Sequence, residues 1–170
     1  MIIGIDVGIT GAITVYNSEA QEIECHDIPT VVKYTSGKTK AGNPKKRREV
    51  DLIRLKALLV ILRSKGVSQA VVEKIASRPN DGAIQAFKFG EVYGVVKASL
   101  VTMGFSTTEV SPQAWKRHFQ LIGTEKDAAR IMAIEIFGDK YFKRKKDHNR
   151  ADSALIACYG ASLGLSEVGK

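Results

Sequence analysis

Three strand-like segments crowd into residues 1–28, and the connections between them are too short for a helix, so they can pair only as an antiparallel meander. Residues 1–7 are an apolar run, and Gly8 and Gly11 bracket a turn. Ala12 to Tyr16 reads as the second strand, Asn17-Ser18-Glu19 as the next turn, and Ile23 to Ile28 as the third strand. From Asp51 the period changes. Leu52, Leu55, Leu58, Leu59 and Leu62 share one helical face, which Gly66 closes. Gln69 to Glu73 is a short strand, and Asn80 or Asp81 caps a long helix carrying Ile84, Phe87, Val92, Val95 and Leu100. Phe105 to Val110 is a further strand, and Ser111-Pro112 sets an N-cap before a proline at the first helical position. Thr124 opens a helix with Ile131, Ile134 and Ile136, and a last helix runs from about Arg150 to Leu163. A meander followed by strand–helix alternation predicts an α/β fold, a mixed five-stranded sheet flanked by helices, in a single domain over residues 1–170.

Residues 33–48 interrupt this pattern with seven Lys or Arg and no acid, punctuated by Gly37, Gly42 and Pro44. They read as a mobile basic loop, with Lys45, Lys46, Arg47 and Arg48 as phosphate contacts. The whole chain carries a net charge of +8, which predicts a polyanionic partner, a nucleic acid or an anionic membrane surface. The weakly polar stretch Ala154 to Leu165 falls short of the ~20 residues that span a bilayer. Met1-Ile2-Ile3-Gly4-Ile5-Asp6 lacks a basic n-region, so no signal peptide and no membrane role are expected. Cys25 and Cys158 form no CxxC pair and read as free thiols of a reducing compartment, which points to the cytoplasm.

Three acids stand out by placement. Asp6 ends an otherwise apolar first strand between Gly4 and Gly8, where burial needs a partner and the glycines allow close approach. Glu73 ends Ala70-Val71-Val72, at the strand end where α/β sheets bind ligands. Asp152 lies near the start of a small-residue helix, preceded by Asp147, His148 and Asn149. Acids from two strand ends and a helix start can converge. Their repulsion then calls for a cation, and an all-oxygen set suits Mg²⁺ or Mn²⁺. Two such ions, about 3.5–4 Å apart, can activate water and steady the leaving oxygen of a phosphodiester.

With these residues in view, the chain resembles the RuvC-type Holliday junction resolvases, in particular their short phage forms. The resemblance rests on Gly4-Ile5-Asp6-Val7-Gly8, Val71-Val72-Glu73 and Ala151-Asp152-Ser153-Ala154-Leu155-Ile156-Ala157. Ala86-Phe87-Lys88-Phe89-Gly90-Glu91-Val92-Tyr93-Gly94, Val110-Ser111-Pro112-Gln113-Ala114-Trp115-Lys116 and Lys126 extend it over most of the chain. It implies an RNase H-like fold, a homodimer, branched DNA as substrate, and paired nicks across a four-way junction with two Mg²⁺ or Mn²⁺ ions per site. Asp6, Glu73 and Asp152 fall on three of the family's four catalytic positions; the fourth is held here by Asn149, with His148 and Asp147 beside it as alternatives. Of these, Asp147 would join the metal ligands and His148 the catalytic groups. Lys116 and Lys126 match family lysines near the scissile phosphate, Lys126 as a catalytic group, and Arg78 and Lys88 are further phosphate contacts. Relatives often carry an aromatic three residues after the glutamate, where this chain has Ala76; Phe87 and Tyr93 read as core, as does Trp115.

Two other readings follow from the same residues. Asp6-Val7-Gly8-Ile9-Thr10 also resembles the phosphate hairpin of sugar kinases and actin-like ATPases, but those folds need two such halves and 170 residues have no room for them. Asn149 in place of an acid fits a catalytically weakened junction-binding protein of the same fold.

Overall fold

The computed structural model describes residues 1–75 and 82–165. Strands β1 (Ile2–Asp6), β2 (Ala12–Asn17) and β3 (Glu22–Asp27) form the meander, and β4 (Thr30–Lys38) and β5 (Pro44–Val50) follow it. After helix α1 (Leu52–Ser64) come β6 (Gln69–Glu73), α2 (Ala83–Thr102), β7 (Ser106–Val110), α3 (Pro112–His118), α4 (Ala128–Phe137) and α5 (His148–Ser162). The main sheet has the order β3-β2-β1-β6-β7. β1, β2 and β3 pair antiparallel, while β1–β6 and β6–β7 are parallel, as short turns and helical crossovers respectively demand.

The pleat sends alternate side chains to opposite helical layers. Ile3, Ile5, Ile13, Ala70 and Val72 pack with Leu55, Leu59 and Leu62 of α1 and Val92, Val96 and Leu100 of α2. Ile2, Val71 and Val110 pack with Trp115 of α3, Ala133 of α4 and Ala151, Ala154, Leu155 and Ala157 of α5. α5 lies across β1 at unusually short range. A Cβ added at Gly4 would stand 2.2 Å from the Ala157 nitrogen and 2.3 Å from the Ser153 oxygen, so only glycine fits there. The buried Thr14 and Ser153 hydroxyls bond at 2.6 Å within this contact.

The structure corrects the sequence reading in four places. Residues 33–48 are not an irregular loop: they lie largely within an antiparallel hairpin, β4 against β5, with its register shifted between Tyr34 and Lys38. The hairpin is paired yet unpacked, exposed throughout residues 31–46, because its composition offers no apolar face to bury. Ile84 and Phe87 are not core: α2 outruns the sheet, leaving them 76% and 71% exposed, and its buried face is Val92, Val96 and Leu100. Tyr93 is half-buried and donates from its hydroxyl to Glu109 at 2.9 Å. α4 starts at Ala128 instead of Thr124, with Ala133 inward and Ile131 and Ile136 exposed. The suggested caps Asn80 and Asp81, and Ala76, lie outside the described residues.

Candidate active site

On β1, Ile2 and Gly4 face α5 while Ile3 and Ile5 face α1 and α2, so the two-residue period aims Asp6 at the α5 side. Val71 on β6 faces α5 too, and Glu73 follows it by the same period. The parallel register sets Ile5 beside Val72, so Asp6 and Glu73 leave the sheet on adjacent strands at the same end. α5 starts at His148, two residues before the expected Arg150, which brings His148 and Asn149 into its first turn and Asp152 one turn in.

The electrostatics show that the three acids meet. The Asp6 carboxyl is raised well above its ordinary range, first by burial and then by the charges of Asp152 and Glu73, with Lys116 acting against them. Asp152 is pushed up to about 6, again first by burial and then by Glu73, while Lys116 and His148 pull it down. Asp6, Glu73, Asp152, Lys116 and His148 therefore share one electrostatic neighbourhood. Among the described residues, none of the three acids has an ion-pair partner.

Two further contacts hold the site in shape. The buried Trp115 donates its indole N–H to Glu73 Oε1 at 2.8 Å, fixing the carboxylate from the α3 side. Trp115 was expected as core and is core; its second role has no local signature, since Glu73 lies forty-two residues away. Replacing Trp115 with Phe should leave Glu73 unanchored. Should the acids take a divalent cation, its affinity should fall about tenfold or more. A calorimetric Mn²⁺ titration of both proteins checks this; an unchanged affinity would make the indole bond incidental. Asn149 Nδ2 donates to the Thr10 carbonyl oxygen at 2.6 Å and the Thr10 hydroxyl at 3.0 Å. The residue at the family's fourth position thus ties α5 to the β1–β2 turn.

Asp147 does not join the acids. It is buried, and Arg144 takes both of its oxygens, through Nε, Nη2 and the backbone N–H, at 2.6–3.2 Å. That ion pair holds the Asp147 carboxyl below its usual range. A basic and an acidic residue three apart on a helical turn are a common pair, so Arg144 was a readable signal. Lys126 is exposed in the α3–α4 connection, and no described contact links it to the acids. Lys45, Lys46, Arg48 and Lys88 are exposed, whereas Arg47 is bound to Glu49 and to Glu91 of α2. Arg78 lies outside the described residues.

The donor set fits a hard divalent cation. Half-buried carboxylates that repel one another and, among the described residues, form no ion pair are stabilised by a shared ion, and oxygen ligands suit Mg²⁺ or Mn²⁺. Among the described residues no three His, Cys, Asp or Glu side chains already enclose a metal-sized space, so an ion would have to draw these carboxylates inward.

An antiparallel meander continued by two parallel strands, with helices on both faces and acids at the ends of β1 and β6, defines an RNase H-like fold. More narrowly, the fold is that of a RuvC-like resolvase. RuvC from Thermus thermophilus is similar with a TM-score of 0.56 and 19% identity, covering 96% of both chains. T. thermophilus RuvC in complex with a Holliday junction substrate gives 0.59 and 20% identity, over 96% of this chain and 95% of that one. No protein-family model matches the chain, and no curated protein matches it in sequence. At such identities the likeness establishes the fold.

Proposed function

We propose that the protein is a divalent-metal-dependent endonuclease that resolves four-way DNA junctions by paired nicks, working as a homodimer in the cytoplasm. The observation that carries this reading is the set of mutually repelling carboxylates Asp6, Glu73 and Asp152 at one sheet end, none in an ion pair among the described residues. The net charge of +8 supports a nucleic-acid substrate, and one of the similar structures holds its RuvC on a Holliday junction. The exposed Ile84 and Phe87 of α2 support self-association. No helix among the described residues is long and apolar enough to cross a membrane.

Asp6, Glu73 and Asp152 would hold the ions, and bound Mg²⁺ or Mn²⁺ would supply an activated water and charge stabilisation at the cut phosphate. The charge of Lys116 acts on both Asp6 and Asp152, and it can neutralise charge developing on the phosphate oxygens. His148 Nδ1 lies 3.3 Å from the Lys145 carbonyl oxygen, which can only accept, so Nδ1 donates there and Nε2 takes no part in that bond. Nε2 can accept the proton of the attacking water, which favours His148 over Asp147 for the fourth role.

A synthetic four-way junction, end-labelled on each strand, should be nicked in Mg²⁺ or Mn²⁺ and left intact in EDTA. Binding without nicks in either metal would overturn the nuclease reading and leave a junction-binding protein. Three-way junctions and flaps in the same assay would set its range.

A further inference from the structure

The β4–β5 hairpin and α2 enclose a groove of about 690 Å³ whose inner end is the β1–β2 turn, Gly8 to Thr10. That turn follows Asp6 directly, and Asn149 of α5 grips it at Thr10. The groove therefore reaches the turn next to Asp6, although none of the three acids lines it. Its floor is apolar, with Ile9, Val50, Phe89 and Val95, and its rim carries Lys45, Lys46, Arg48 and Lys88. The two acids in its walls, Glu49 and Glu91, are already neutralised: Arg47 binds both, and Lys33 binds Glu49 at 2.9 Å. The four rim cations have no ion-pair partner among the described residues. Arg47, expected as a phosphate contact, is instead the strut that holds the hairpin against α2.

We propose that this groove receives an unpaired stretch of the DNA substrate, its phosphates on the rim and a base laid on Phe89. A cationic track beside an aromatic platform is how single strands are bound without base-edge reading. A duplex arm could use only the rim, because its bases are stacked inside the helix and cannot reach an apolar floor. An unpaired strand uses both surfaces. Phe89 is 40% exposed, so a stacked base would remove apolar area from water that the fold leaves uncovered. The inference rests on the nuclease reading for the identity of the polyanion, and it adds that the substrate presents an unpaired stretch to this groove.

The test is equilibrium binding in EDTA, so that no cleavage intrudes. The wild type is titrated with a short oligothymidylate and with an abasic strand carrying the same number of phosphates. Oligothymidylate should bind about tenfold more tightly. Phe89→Ala should erase that preference and leave the abasic affinity unchanged, and Phe89→Leu should keep part of it. Lys45→Ala with Arg48→Ala should weaken both strands alike. Equal affinities in the wild type, or a Phe89→Ala loss shared by both strands, would overturn the base site. Junction nicking in Mg²⁺ is read separately: base preference without nicking would sink the nuclease reading alone, and nicking without base preference would sink the groove alone.

Discussion

Asp6→Asn should abolish junction nicking, by on the order of 10³-fold or more, while junction binding in EDTA persists. The substitution keeps the side chain's size and removes the charge that all three acids share. The same change should stabilise the metal-free protein. Asp6 and Asp152 are both raised above their unfolded-state value of 3.8, Asp152 to about 6. A carboxyl raised in the folded state favours folding below its unfolded value, and that contribution is lost as pH climbs through the folded one. For Asp152 the difference corresponds to about 3 kcal/mol lost between pH 4 and neutrality. The metal-free wild type should therefore melt lower at pH 7.5 than at pH 5. Asp6→Asn should melt higher than wild type at pH 7.5, and added Mn²⁺ should raise the wild type more than the variant. Wild-type nicking by Asp6→Asn, or a lower melting temperature at pH 7.5, would remove Asp6 from the proposed metal set.

These expectations show which parts of the molecule were readable in advance. The period-two and helical patterns marked every strand of the main sheet, most plainly β1, β2 and β6, which are almost wholly buried and must declare it in sequence. Asp6, Glu73 and Asp152 were legible for the complementary reason: each is an acid where the pattern asks for an apolar or neutral neighbour. The β4–β5 hairpin was not legible. Its residues are exposed on both faces, so strand pairing there is decided by backbone bonds that leave no hydrophobic trace. Contacts across the fold were hidden for another reason. Trp115–Glu73, Asn149–Thr10 and the bidentate Arg150–Asp27 pair join residues 42, 139 and 123 apart, distances at which no local spacing rule operates. Asp147 shows the converse failure. Its position beside His148 made it a candidate ligand, yet a local partner three residues away, Arg144, captured it first.

Gly4→Ala should disable the protein through its frame instead of its chemistry. The new methyl would meet the Ala157 nitrogen at 2.2 Å and the Ser153 oxygen at 2.3 Å, and both are backbone atoms of a buried helix. Neither can swing aside, so α5 must retreat from β1 as a unit. We expect a cost of about 3 kcal/mol or more, near a 10 °C drop in melting temperature for a chain of this size. Any protein that still folds should nick junctions on the order of 10²-fold more slowly, because retreat of α5 carries Asp152 away from Asp6 and Glu73. Two controls fix the interpretation. Gly160→Ala meets side-chain atoms only, Val71 Cγ2 at 2.3 Å, Ile2 Cδ1 at 3.1 Å and Val71 Cβ at 3.3 Å, and no backbone, so its cost should be smaller. Gly90→Ala meets nothing within 4 Å on the exposed side of α2 and should be neutral or stabilising by up to about 1 kcal/mol. If Gly4→Ala matched Gly90→Ala in both melting temperature and nicking, the close seat of α5 on β1 could not be what holds the acids together.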